Sequence, residues 1–248
     1  METYKLYKDK VVLTFDSEKH TYFVKDKRIE GVTGVTGIIN KPALMYWAVN
    51  MTVEFLSKAL KPGKKYDEIQ LKGMLESAKY AHRQKATKSA DIGTIVHQAI
   101  ETYIKTGKQT NPVNNDARRS FKKFLQWVKN NDVKFFESER KVYSEKFEYA
   151  GTMDFYCETA NKRLIGDIKT SSGIWDEYWL QTSAYQQAYQ EETNARIDGH
   201  IIVRVSKIGE LEVVENYDYD KNVLAFNGAL ALYKRMMEIK DSKNGKNL

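Results

Sequence analysis

The chemistry in this chain concentrates on Asp154, Asp167 and Lys169. They lie in "GTMDFYCETANKRLIGDIKTSSG", residues 151–173, inside two runs that otherwise read as buried strand. Charged side chains are rarely fully buried unless they are paired or bind a metal. A turn centred between Ala160 and Asn161 sets Asp154 opposite Asp167, with Cβ atoms ~4.5–5.5 Å apart, where like charges repel. Lys169 projects from the same face as Asp167. Two readings stand. A divalent cation that prefers oxygen ligands, Mg²⁺ or Mn²⁺, can sit between the carboxylates, with the lysine beside it to orient a water or stabilise charge on a phosphate. Otherwise the hairpin faces water and Lys169 pairs with one acid.

Other residues bear on that choice. In "GTIVHQAIE", His97 and Glu101 share one helical face, and the apolar neighbours point His97 inward. "QTSAY" places Gln181 and Tyr185 one turn apart on the helix after the hairpin, with Tyr178 a turn before. Taken singly, each is also explained by packing in a core.

The elements that must position these groups follow from the change of period along the chain. "VVLTFDSEKHTYFVKDKRIEGVTGV" alternates around a turn at "DSEKH" and predicts two or three short strands. "GIINKPALMYWAVNMTVEFLSKAL" has helical spacing, with Pro42 suited to a first turn. Helical spacing continues from Asp67 to Lys105, with a break expected in residues 89–93, where Ser89 or Asp91 offers a cap, and Gly107 closes it. "NNDARRSFKKFLQWVKNN" is amphipathic with a basic outer face. Five strands follow, with a helix between the third and fourth, a last helix after the fifth, and a frayed tail at residues 241–248. The expected fold is α/β (α+β), a central mixed sheet flanked by helices. One domain is expected: residues 1–90 as hairpin and helical region, 91–240 as core.

Composition narrows the class. The chain has 248 residues, 42% hydrophobic and 29% charged, which fits a globular protein able to fill a core. Its net charge of +7 is compatible with a polyanionic partner. The single cysteine, Cys157, excludes a disulfide framework and a four-cysteine iron–sulfur cluster. No signal peptide and no transmembrane run is read, so a cytoplasmic setting without a membrane partner is expected.

Four motifs occur in order, "GTIVH", "GTMD", "DIKTSS" and "QTSAY". Together they resemble the PD-(D/E)xK nuclease superfamily, in its RecB-like exonuclease branch, over residues 93–185. The opening strands, "GVTGVTGIINKP" and "YWAVN" are similar to members without an iron–sulfur cluster, such as phage exonucleases and the mitochondrial genome-maintenance exonuclease. The resemblance implies a restriction-endonuclease-like core with a helical arch, and a metal-dependent deoxyribonuclease acting on single-stranded DNA ends in a bacterial or phage-infected cell. It implies His97, Asp154, Asp167 and the Ile168 backbone carbonyl as ligands to one or two Mg²⁺ or Mn²⁺ ions, and Lys169 as the catalytic lysine. Gln181 and Tyr185 are implied to touch the DNA. Thr170, Ser171 and the basic and aromatic residues Arg83, Lys85, Lys88, Trp175 and Tyr178 are expected to line the strand's path by charge and stacking. Glu139 is not counted in the site. Alternatives are a structure-specific endonuclease and a catalytically silent nucleic-acid-binding or recombination protein.

Overall fold

The computed structural model describes residues 1–206 and 210–243, without the side chains of residues 88–91. The chain is mixed α/β, with a mixed central sheet flanked by helices. It divides into two compact units, one of Met1–Ile39 with Val96–Leu248 and one of Asn40–Ile95.

Four N-terminal strands, β1 (Glu2–Leu6), β2 (Val11–Asp16), β3 (Thr21–Val24) and β4 (Lys27–Gly31), form an antiparallel meander, one strand more at the N-terminus than the alternation predicts. Val11, Leu13 and Phe15 alternate inward in β2, and Asp16 Oδ1 accepts the Glu18 and Lys19 N–H groups in the turn that follows. β4 pairs in parallel with β6 (Tyr149–Thr159), through Glu30 with Tyr149 and Gly31 with Ala150, after the short helix α1 (Val32–Thr36) has led the chain away.

The sheet order is β1-β2-β3-β4-β6-β7-β8-β9, with β5 (Lys134–Ser144) also pairing β6. β7 is Lys162–Lys169, β8 Gly199–Val205 and β9 Leu211–Asn216. β7 and β8 run parallel and are joined through α6 (Asp176–Thr193), because parallel neighbours need a crossover. The β6–β7 hairpin takes the predicted register, from Phe155 opposite Gly166 to Thr159 opposite Lys162. Ala160 and Asn161 turn it with φ of 47° and 61°, the paired left-handed geometry of a tight hairpin turn.

Neighbouring strand residues show that the sheet is covered on both faces. Tyr156 packs on Tyr189 of α6, in a core with Tyr149, Tyr185 and Phe226 of α7 (Tyr219–Lys243). Phe155, pointing the other way, meets Phe135, which stacks on Phe124 of α5 (Asn115–Asn130). α5 buries Ala117, Ser120, Phe121, Phe124, Trp127 and Val128, a stripe of helical period, and Asn114 caps it at the N–H groups of Asp116 and Ala117.

In the second unit, α2 (Pro42–Ala59) starts with Pro42 in its first turn, and a capping box of Asp67 and Gln70 opens α3 (Glu68–Lys79). The Thr52 hydroxyl donates to Ala78 O at 3.3 Å across these two helices. The helical break lies at Tyr80, not at residues 89–93: α4 (Ala81–Thr106) is continuous through them. One glycine and a few cap-type residues cost a helix ~1 kcal/mol, too little to end a long one. The side chains of Ser89 and Asp91 are outside the described residues. Gly107, at φ 69°, closes α4 with its N–H on Tyr103 O. The last helix runs through Lys243, so residues 241–243 are helical, and residues 244–248 lie outside the described residues. No described helix is long and apolar enough to cross a membrane.

Candidate active site

Asp154 and Asp167 stand one step beyond the last regular pair of the β6–β7 hairpin. Asp154 Oδ2 accepts the Ile168 N–H at 2.7 Å, so the carboxylate is tied across to the next strand. His97 of α4 brings Nδ1 to 3.9 Å from the same oxygen. Asp167 is 1% exposed. Its Oδ1 accepts from Gln181 Nε2 at 3.3 Å, while Oδ2 forms an ion pair with Lys169 Nζ. Lys169 is therefore the partner of this buried oxygen.

The polar chain continues onto α6. Gln181 Nε2 also donates to Tyr185 Oη at 2.7 Å, and Gln181 Oε1 accepts from Lys169 Nζ at 3.4 Å. The Lys169 ammonium lies 4.6 Å from the centre of the Tyr178 ring. Gly151 makes this fit possible. A Cβ there would stand 2.5 Å from the Tyr185 ring, so glycine at the head of "GTMD" lets the tyrosine settle on the β6 backbone.

The electrostatics are those of crowded acids. Burial pushes the Asp167 carboxyl up, the Lys169 ammonium opposes that, and the Asp154 charge adds to it. Burial works against the Lys169 charge, yet Asp167 and Asp154 together hold its pKa above the ordinary lysine value. Lys169 is therefore a cation at neutral pH.

Glu139 joins this cluster, which the sequence reading did not include. The pairs Ser138 with Phe155 and Arg140 with Met153 set Glu139 opposite Asp154. Its carboxyl is pushed up to about 7 by burial, then by the charges of Asp154 and Glu101, with Lys141 and His97 pulling the other way. The backbone is irregular at this point, for Glu139 has φ 52°. Glu137 accepts from Tyr189 of α6 and Arg140 pairs with Glu192 of α6 at 2.7 Å, although they are three residues apart where alternation demands two or four. The left-handed backbone at Glu139 changes which way the side chains face while the pairing with β6 keeps one register from Glu137 to Ser144, the register shift of β5 lying between Phe135 and Glu137; such backbone outliers mark functional sites. Alternation in "FFESERKVYS" carries no sign of it, since glutamate is no αL signal.

The remaining expected residues divide. His97, Asp154, Asp167, Lys169, Gln181 and Tyr185 are brought together, and the Ile168 backbone is held among them by its N–H. The Ser171 hydroxyl donates to Gly173 O at 2.7 Å within its own loop, and its carbonyl accepts from Arg204 at 3.5 Å. Thr170 follows Lys169 in that loop, partly exposed and with no side-chain hydrogen bond among the described residues. Trp175 is 40% exposed just before α6. Arg83 and Lys85 belong to the other unit, where Arg83 lies over the Tyr80 ring at 5.3 Å and Lys85 acts on Glu54. The Lys88 side chain is outside the described residues.

The donors suit a hard cation in part. Two facing carboxylates are the oxygen ligands such an ion takes. Among the described residues no three His, Cys, Asp or Glu side chains close on a single point. Mg²⁺ is commonly held by one or two carboxylates and its own waters, so the acid pair meets its needs where it would not meet those of a four-ligand zinc site.

No family model and no curated protein matches the chain. A solved structure described as "Crystal structure of SSO0001" is similar at 16% identity and a TM-score of 0.34, over 77% of this chain and 87% of that one. At that distance the likeness assigns neither family nor function.

Proposed function

We propose that this protein is a divalent-metal-dependent DNA exonuclease that hydrolyses phosphodiester bonds, acting preferentially on single-stranded ends, in the cytoplasm of a bacterial or phage-infected cell. The observation that supports it most is the juxtaposition of Asp154, Asp167 and Lys169 with Gln181 and Tyr185, within a chain whose motifs resemble the RecB-like branch of the PD-(D/E)xK nucleases.

Phosphodiester hydrolysis needs a water made nucleophilic and a place for charge on the phosphate. Bound Mg²⁺ or Mn²⁺ supplies both. Asp154 and Asp167 would hold it, with His97 and the Ile168 carbonyl as the further ligands implied by the resemblance. Lys169 supplies a preorganised positive charge against the phosphate oxygens as they gain charge. Gln181 fixes that lysine and Asp167 at once, so both groups are in place before substrate arrives. The exposed face of Trp175 offers a stacking surface for an unpaired base.

The test is cleavage of end-labelled single-stranded DNA with Mg²⁺, Mn²⁺ or EDTA, comparing wild type with Asp154→Ala and Lys169→Ala. Metal-dependent shortening, lost in both variants, is the expected result. Binding without cleavage of linear or branched DNA with either metal would replace this reading with a silent nucleic-acid-binding protein.

A further inference from the structure

The outer face of α5 is densely basic. Arg118, Arg119, Lys122, Lys123 and Lys129 are exposed there, against the single acid Asp116. Arg119 pairs with Asp116, and Arg118 donates to Pro112 O. Lys122, Lys123 and Lys129 have no carboxylate partner among the described residues. They line a groove of about 1000 Å³ with Gln109 and Gln126, whose one acid, Asp132, lies 3.9 Å from Lys134.

The outer charges of α7 are more mixed: Lys240 and Lys243 have no ion pair among the described residues but alternate in sequence with Glu238 and Asp241, and the other cations are paired. Lys221 pairs with Asp218, Arg235 with Glu238 and Lys234 with Glu148. Interspersed pairs are what solubility alone requires. Three lysines left unpaired on one helix face, beside two amides, favour a ligand carrying repeated negative charge at several points. The aromatic contacts described above put α5 on the face of the sheet opposite α6, so this surface is separate from the Gln181–Tyr185 side of the acid pair.

We propose that the outer face of α5 is a second nucleic-acid contact, which holds the phosphodiester backbone of DNA outside the cleavage centre. The choice of DNA as the polyanion rests on the nuclease reading; the surface itself does not. Such a contact retains the substrate between cuts without reading its sequence, because phosphate contacts position and carry no base information.

The test is DNA binding by the full chain in EDTA, read by fluorescence anisotropy of a labelled single strand across a series of NaCl concentrations. Lys122→Ala/Lys123→Ala/Lys129→Ala is compared with wild type and with Lys221→Ala/Arg235→Ala/Lys240→Ala, which removes the same charge from α7. Each lysine on a phosphate contributes ~0.7 to the slope of log affinity against log salt for a single strand, so the α5 variant should lose roughly 2 from that slope and bind about 10- to 100-fold more weakly at low salt. The α7 variant should bind as wild type does. Equal binding by all three, an equal loss in both variants, or no binding by wild type overturns the proposal. Cleavage by wild type in Mg²⁺ is scored separately. Loss of binding in the α5 variant with no cleavage by wild type leaves this inference standing and removes the nuclease reading; cleavage with uniform binding does the reverse.

Discussion

The two ends of the β6–β7 hairpin are built from the same strands and obey different rules. From Phe155 to Thr159 the pairs are regular and the inward side chains apolar, and the Phe155 ring lies directly over Gly166. One step further come two facing carboxylates, a half-buried lysine ion-paired to one of them, and a residue opposite with left-handed backbone. The regular end spends its interactions on stability. The irregular end gathers like charges that a stable hairpin would avoid. Local rules broken together at one point, within an otherwise consistent fold, are what a functional site looks like.

The largest effect expected from this contrast is on activity. Asp154→Asn keeps an acceptor for the Ile168 N–H and removes one charge from the acid cluster. Cleavage should fall at least ~10³-fold, about 4 kcal/mol of transition-state stabilisation, while stability in EDTA should rise by ~1 kcal/mol as repulsion is relieved. A variant that loses both would show that the acids act as structural partners. At the regular end the sign reverses. A Cβ on Gly166 would meet Phe155 ring atoms at 1.9 Å, so Gly166→Ala must displace the ring, and overpacking of this kind costs ~1–3 kcal/mol or more. Urea unfolding measures it, and an unchanged midpoint would mean that the ring moves freely.

His200 tests whether a buried titratable group at the regular end also marks function. It pairs with Ile165 across β7 and β8, is fully buried, and neither ring nitrogen has a hydrogen-bond partner among the described residues. Burial lowers its pKa from 6.5 to about 4. As pH falls, the unfolded chain takes the proton first. Stability is therefore intact above pH 6.5 and is lost progressively toward pH 4, by at most ~3 kcal/mol. Glu139 runs in the opposite sense, its raised pKa disfavouring the fold as pH rises from 4.5 toward 7. The difference between wild type and His200→Phe, from unfolding curves at several pH values, isolates the histidine. It should grow as pH falls through that window, and cleavage at neutral pH should not change.

The hairpin was legible because it is local: a turn at Ala160 and Asn161 fixes every pair that follows, and so sets the acids face to face. The stripe of α5 was legible for the same reason, through its period. What escaped depends on distant partners. Glu139 reads as one more alternating residue, because the left-handed backbone between Glu137 and Arg140, both in contact with α6, leaves no mark in the alternation. Ser89, Asp91 and Gly93 look like a boundary, but residues 89–93 lie inside one continuous helix. The parallel pairing of β4 with β6 joins residues far apart in the chain, so no local pattern announces it.

The smallest effect expected falls on the joint between the two ends, where α6 meets β6. Tyr185→Phe keeps the ring that rests against Gly151 and removes only the oxygen that accepts from Gln181. Losing one buried hydrogen bond should cost ~1 kcal/mol of stability. Its consequence for activity decides what the amide is for. If Gln181 holds Asp167 and Lys169 in their working geometry, the freed amide should lower kcat several-fold at nearly constant KM, and Gln181→Glu should not restore it, since a further acid there would draw Lys169 away from Asp167. If kcat is unchanged, the Gln181–Tyr185 pair is packing with polar tips, and the positioning of the lysine belongs to Asp167 and the Tyr178 ring alone.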